Sequence, residues 1–166
     1  MKPEIVITEM LPDHWTEVSN IYKDGIDTGM ATFETEIPSW ESWDKNHIRS
    51  CRLLAMIENK TVGWAALSPV SSRCVYGGVA EVSVYVDIEA WGKKIGEKLM
   101  LKIIEESELN GYWTLQSGVF PENIASINLH EKVGFREIGY REKVGQLDGI
   151  WKDNILWERR SKIVGK

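Results

Sequence analysis

The sequence predicts an α/β domain: a mixed central β-sheet of about seven strands flanked by helices on both faces. Three observations carry this. Segments of period two and segments of helical period alternate along the chain in the order β-α-α-β-β-β-α-β-α-β-β. The chain has 166 residues, 43% of them hydrophobic and 27% charged, which suits one domain over residues 1–166 with a single-domain core. The stretch Val79–Met100 runs from a strand through a glycine-bearing turn into a helix, an arrangement that can hold an anion on unpartnered helical N–H groups.

Ile5 and Ile7 open the first strand. Pro12 stands where the first turn of a helix tolerates it. Trp15, Val18, Ile21, Tyr22 and Ile26 form one stripe on that helix, and Gly25 and Gly29 bracket its end. Residues 31–37 read as a loop. After Pro38, the spacing of Trp40, Trp43 and His47 predicts a second helix. Residues 52–58 and 61–68 read as an antiparallel hairpin turning at Asn59-Lys60. A turn-rich segment, 68–78, feeds the central strand, in which Val82, Val84 and Val86 alternate with Glu81, Ser83, Tyr85 and Asp87.

The helix that follows carries Ile95, Leu99 and Ile103, with Lys93 and Lys94 placed in its first turn. Cations suit the dipole poorly there, which makes sense if an external anion offsets them. Trp113–Val119 reads as another strand. Pro121-Glu122-Asn123 starts a helix with Ile124, Ile127 and Val133 inward, stopped by Gly134 as a left-handed C-cap. Phe135–Tyr140 and Ile150–Trp157 close the set as a strand pair. Trp15, Trp64, Trp113 and Trp157, of eight tryptophans, fall on apolar stripes and are expected in the core.

The formal net charge of -5 gives no basic field to attract nucleic acid or an anionic membrane. No apolar run approaches the ~20 residues of a membrane span, and the acidic N-terminal segment does not resemble a signal peptide. Cys51 and Cys74 match no metal or redox spacing and are expected to be buried and reduced. No His, Cys or carboxylate cluster suggests a metal. A cytoplasmic protein that binds a small molecule is the expectation.

The segment Trp91-Gly92-Lys93-Lys94-Ile95-Gly96 is similar to the Arg/Gln-x-x-Gly-x-Gly/Ala motif of the GNAT superfamily of N-acetyltransferases. Gly96 matches, Trp91 replaces the Arg/Gln, and Lys94 replaces the first motif glycine. Around it, Ala31–Glu36, Glu81–Val86, Gly111–Gln116, Pro121–Ser126, Leu129–Phe135, Gly145-Gln146 and Gly149 with Trp151 and Asp153 resemble the phosphinothricin and methionine-sulfoximine N-acetyltransferase branch. The resemblance runs over nearly the whole chain. It implies the GNAT fold, acetyl-CoA as cosubstrate, a small-molecule amine as acceptor, and a homodimer.

It also implies roles. Acyl transfer to an amine needs a proton acceptor, because an alkylammonium must lose its proton before it attacks. The resemblance implies Glu81, a charged residue in an apolar strand, as the general base proposed for the branch; read from the residues alone, facing solvent or pairing with Arg73 is the favoured role. The backbone of Val84, Tyr85 and Val86 is implied to hold the pantetheine arm and polarise the thioester carbonyl. Gly92, Lys93, Lys94, Ile95, Gly96 and Glu97 are implied to hold the pyrophosphate, with the Lys94 N–H available if its φ stays negative. Asn123 reads as a helix N-cap and by resemblance also contacts acetyl-CoA, as does Ser126.

His130 stands where the superfamily usually has a tyrosine that protonates the departing thiolate; a structural histidine is the alternative. On the acceptor side the resemblance implies Phe33 as an aromatic wall, Arg73 as partner of the substrate's acidic group, and Tyr76 and Tyr85 nearby. Ser71 stands where phosphinothricin-specific members carry lysine, which favours neutral sulfone or sulfoximine acceptors. Trp151 is expected at a dimer interface or near the acceptor. Two other functions fit the same residues: acetylation of a protein or peptide amine, and a non-catalytic CoA-binding module.

Overall fold

The structure, a computed structural model, describes residues 2–166. Seven strands and four helices alternate as β1 (Val6–Glu9), α1 (Trp15–Asp27), α2 (Trp40–Asn46), β2 (Leu53–Ile57), β3 (Lys60–Pro69), β4 (Val79–Val86), α3 (Ile95–Leu109), β5 (Thr114–Val119), α4 (Ile124–Lys132), β6 (Arg136–Leu147) and β7 (Ile150–Arg160). This is the predicted order. The strands form one sheet in the order β1-β2-β3-β4-β5-β7-β6. All its pairings are antiparallel except β4 with β5.

The sheet is buried on both faces along β2 and β3. On one face Leu53, Ala55, Ala65, Leu67, Val82, Leu115, Ile155 and Trp157 pack with Ile95, Leu99, Met100 and Ile103 of α3. On the other, Leu54, Trp64 and Ala66 pack with Val18, Ile21 and Tyr22 of α1 and Trp43 of α2. Adjacent strand residues point to opposite faces, so the near-continuous apolar runs of β2 and β3 belong to a strand covered twice. Arg52 is buried beneath α2, donating to Asp44 Oδ1 at 2.6 Å and to the carbonyl oxygens of Ile48 and His47. That fully paired guanidinium ties the loop after α2 to the sheet.

Several expectations are corrected. The β2–β3 turn falls on Glu58-Asn59, both at positive φ (49° and 66°), one residue earlier than expected; Lys60 already belongs to β3. Two successive left-handed residues match the twist of a hairpin. Cys51 is buried, but Cys74 is exposed in the β3–β4 loop. Ile124 is 60% exposed rather than inward, because the buried side of α4 is carried by His130, Ile127 and Leu129. Trp64 and Trp157 are core residues as expected, whereas Trp15 and Trp113 are half-buried. The last two strands run longer than the apolar pattern, because β6 is an edge strand exposed along most of its length. No helix among the described residues is long and apolar enough to cross a membrane.

Candidate active site

The parallel pairing of β4 with β5 covers only Val79, Ala80 and Glu81, opposite Thr114, Leu115 and Gln116. Beyond Glu81 the two strands part. β4 stays paired with β3 as far as Val86, and β5 turns to β7, pairing through Val119 with Ile155. The backbone of Val82–Val86 therefore has one bonded edge and one open edge. Asp87 N–H donates to Val62 O on the β3 side, and Gly78 O accepts from Trp113 N–H on the β5 side. Alternation between these points turns the N–H and C=O groups of Val82, Val84 and Val86 toward the opening.

A cleft of about 500 Å³ fills the opening and passes between the two faces of the sheet. From the α3 side it is lined by Val82, Val84, Met100, Ser117, Leu129 and His130; from the other by Glu81, Ser83, Tyr85, Gln116 and Gly118. Of the residues singled out in the sequence, it brings together Phe33, Glu81, Val84, Tyr85, Asn123, Ser126 and His130. Glu81 is the last β4 residue paired with β5, at the point where the strands separate.

The loop after α1 is held over the cleft from both ends. Asn123 caps α4 by accepting from Ser126 N–H (3.2 Å), and its Nδ2 donates to Met30 O (3.2 Å). Burial pushes the Tyr22 hydroxyl up to about 12, with the nearby Glu34 carboxylate adding to the shift and a Thr32 hydrogen bond opposing it. Tyr85 is raised by the same burial, and its ring stacks on Trp64 (5.0 Å). Both phenols are therefore neutral. Phe33, next in the chain, meets Phe120 edge-on at 4.8 Å. It also packs on Gly145, where a Cβ would lie 3.0 Å from its ring. Only glycine leaves room for Phe33 there.

His130 is 6% exposed. Its Nδ1 donates to Ser126 O at 2.6 Å, and a carbonyl can only accept, so in the neutral ring the proton is on Nδ1. Nε2 is buried with no partner, and burial lowers the pKa of the ring. At neutral pH this nitrogen carries a lone pair, so as it stands His130 accepts a proton rather than donates one.

The glycine turn lies at the end of β4. Lys94 is the N-cap of α3 at φ 63°, ψ 24°, outside the first helical turn and with the sign of φ opposite to that expected; Gly92 is also left-handed (φ 80°). The first bond of the helix is Lys98 N–H to Lys94 O (3.1 Å), so the amides of Ile95, Gly96 and Glu97 have no intrahelical acceptor. Glu97 is spent on an ion pair with Lys132 (2.8 Å), which holds its carboxyl below the usual range; only its backbone remains for a ligand. A Cβ on Gly96 would lie 3.2 Å from Leu129 and 3.7 Å from Val86, so the turn abuts the residues that close the cleft. An open strand edge leading to free helical amides fits the amide-rich arm and pyrophosphate of acetyl-CoA.

The family model "Acetyltransferase (GNAT) family" matches residues 15–135. The chain belongs to the GNAT acetyltransferase family. It is an acetyl-CoA-dependent N-acetyltransferase. It is 30% identical over 158 residues to the phosphinothricin N-acetyltransferase of Alcaligenes faecalis, covering 89% of this chain and 78% of that one. It is 36% identical over 78 residues to the L-methionine sulfoximine/L-methionine sulfone acetyltransferase of Pseudomonas aeruginosa, covering 47% and 45% of the two chains. Among solved structures, the ribosomal-protein-alanine N-acetyltransferase of Brucella melitensis superposes with a TM-score of 0.88 at 29% identity, over 94% of this chain and 99% of that one. The acetyl-CoA complex of a phosphinothricin acetyltransferase from Sinorhizobium meliloti superposes with a TM-score of 0.87 at 23% identity, over 97% and 90%.

Two sequence-predicted GNAT acceptor residues stand apart from the cleft. Arg73 lies over the ring of Tyr76 at 5.5 Å, and Tyr76 lines a second, shallower hollow with Val70, Val79, Trp113 and Arg160. The cleft in turn contains residues that the sequence did not single out: Ser117, Arg141, Val144 and Asn154. Those of β6 and β7 come from an exposed hairpin with no apolar period to mark them. The adjoining Gly145 was the one available signal.

Proposed function

We propose that this acetyltransferase acetylates the primary amine of a small amino-acid-like molecule of the phosphinothricin, methionine sulfoximine or methionine sulfone type, with Glu81 as general base. The observation that carries the reading is the position of Glu81 where β4 leaves β5, beside the open backbone of Val84 and Val86. A carboxylate there can take the proton from an ammonium, directly or through one water. Acetyl-CoA supplies the acetyl group as a thioester. The N–H groups on the open edge stabilise the oxygen that gains negative charge as the amine attacks.

The amine loses a second proton as it becomes an amide, and that proton goes to the departing sulfur. His130, neutral with a bare Nε2, serves this step as an acceptor that relays the proton rather than as a preformed acid. Ser71, whose Oγ accepts from Arg73 N–H (3.2 Å), stands where phosphinothricin-specific relatives carry lysine; that resemblance, and not the cleft, from which this loop stands apart, supports sulfone or sulfoximine acceptors. We also infer a cytoplasmic homodimer: Ile138, Tyr140, Ile150 and Trp151 lie exposed on the edge hairpin β6–β7, which light scattering on the purified protein would test.

The likeness to the Brucella enzyme, a ribosomal-protein-alanine N-acetyltransferase, favours a second reading, acetylation of a protein or peptide amine. Thiol release from acetyl-CoA, measured with methionine sulfoximine, methionine sulfone, phosphinothricin and a basic peptide, separates the two. Turnover of the small amino acids, lost by at least a hundredfold in Glu81→Gln, is the expected result. Acetylation of the peptide alone overturns the reading.

A further inference from the structure

We propose that Arg141 binds the acceptor's carboxylate and so selects zwitterionic amino acids; the inference rests on the small-amino-acid reading above. The cleft is lined by one carboxylate, Glu81, and one cation, Arg141. That is the complement of a molecule carrying one ammonium and one acidic group.

The two residues share a face of the sheet. Glu81 is opposite Gln116, Gln116 opposite Glu158, Gly118 opposite Leu156, and Asn154 opposite Arg141. Cross-strand partners point the same way and residues two apart keep the face. Glu81, Gln116, Gly118, Leu156, Asn154 and Arg141 therefore all stand on the side away from α3.

Arg141 is the last regular partner before a bulge, since the next pair is Gly145 with Lys152. The bulge is pinned on the opposite face, where Asp153 accepts from Tyr140 OH (2.5 Å) and from Lys143 N–H (2.7 Å). Val144 and Gly145 thereby turn into the cleft against Phe33, with Arg141 at their base.

Four other arginines are occupied, and the remaining two, Arg49 and Arg73, lie outside the cleft. Arg52 pairs with Asp44, Arg136 with Glu158, Arg159 with Glu108, and Arg160 donates to four carbonyl oxygens of the C-terminal segment and Trp113. The Arg141 guanidinium makes no hydrogen bond or ion pair among the described residues and is free for a bidentate contact with a carboxylate. Beside it, the Asn154 amide leans over Gly118, where a Cβ would lie 2.7 Å from Asn154 Oδ1. Glycine at 118 lets this second polar group reach the cleft.

The test compares L-methionine sulfone with its carboxamide, which keeps the amine and loses the negative charge. Wild type is expected to prefer the acid in kcat/KM, and Arg141→Gln to lose that preference by roughly ten- to a hundredfold, through KM for the acid. Arg141→Lys, which keeps the charge but not the fork, should recover part of it. The KM for acetyl-CoA should stay within twofold in both variants. An unchanged acid-to-amide ratio in Arg141→Gln, or a rise in the acetyl-CoA KM instead, overturns the role of Arg141 and leaves the small-amine reading standing. A wild-type enzyme that acetylates neither compound and turns over a basic peptide overturns both.

Discussion

The indole N–H of Trp91 donates to the carbonyl oxygen of Val86 at 3.1 Å. Trp91 replaces the Arg/Gln of the family motif, and Val86 is the last residue of the open strand edge. The tryptophan thus fastens the β4–α3 turn to the strand, while its ring stays largely exposed. Trp91→Ala removes this bond and leaves Val86 O to water. A loss of about 1 kcal/mol is expected in urea unfolding at pH 7.5, with the slope unchanged. A midpoint equal to wild type would show that the bond contributes nothing.

Lys94 is held at φ 63° where the family has glycine. A left-handed conformation costs a residue with a Cβ about 1 kcal/mol, and glycine adopts it freely. Lys94→Gly should raise stability by up to that amount. It also removes one cation from the mouth of the proposed pyrophosphate site, so the Kd for acetyl-CoA should depend less steeply on salt. Calorimetric titrations at two ionic strengths together with a thermal melt check both; a variant less stable than wild type would contradict the strain.

The element order and much of the site were legible in the sequence because they rest on local period. β4, α3 and the placement of Glu81 follow from alternation passing into a four-residue repeat. The N-cap role of Asn123 follows from its place before a helix. What was hidden depends on contacts between distant segments or on backbone sign. Nothing local marks Lys94 as left-handed, since that conformation is set by how α3 docks on the sheet. Cys74 and Ile124 are exposed because their segments present other faces inward. Arg73 lies outside the cleft and Arg141 inside it. One sits in a loop whose course only the fold determines, and the other in an edge strand with no apolar pattern. The place of Arg141 in the cleft comes from topology.

His47 and His130 are both shifted down by burial, opposed by the carbonyl oxygens of Trp43 and Ser126 that accept from their Nδ1 atoms. A depressed histidine pKa means the unfolded chain takes up protons first as pH falls. Stability from these groups is therefore full above about pH 6.5 and declines below it, until the folded rings also titrate. Each histidine can contribute a slope of at most about 1.4 kcal/mol per pH unit. Urea melts at pH 7.5 and 5.5 should show the loss, and His130→Gln should reduce it. A pH-independent midpoint across that window would mean the rings are not held neutral.

Gly145 permits the close contact with Phe33, the residue proposed as the acceptor wall. A methyl group at this position would lie 3.0–3.4 Å from three atoms of the Phe33 ring, which is also held edge-on by Phe120. Phe33 can yield only toward the cleft or away with its loop, and that loop is tied down by the Asn123 bond to Met30 O. Gly145→Ala should therefore narrow the acceptor side while leaving the strand edge and the α3 turn untouched. The expected result is a severalfold rise in the acceptor KM at an unchanged acetyl-CoA KM, with a stability loss of about 1–2 kcal/mol from overpacking. If Phe33 forms no part of the acceptor wall, the stability falls and both KM values stay at wild type. A steady-state comparison of the two substrates decides it.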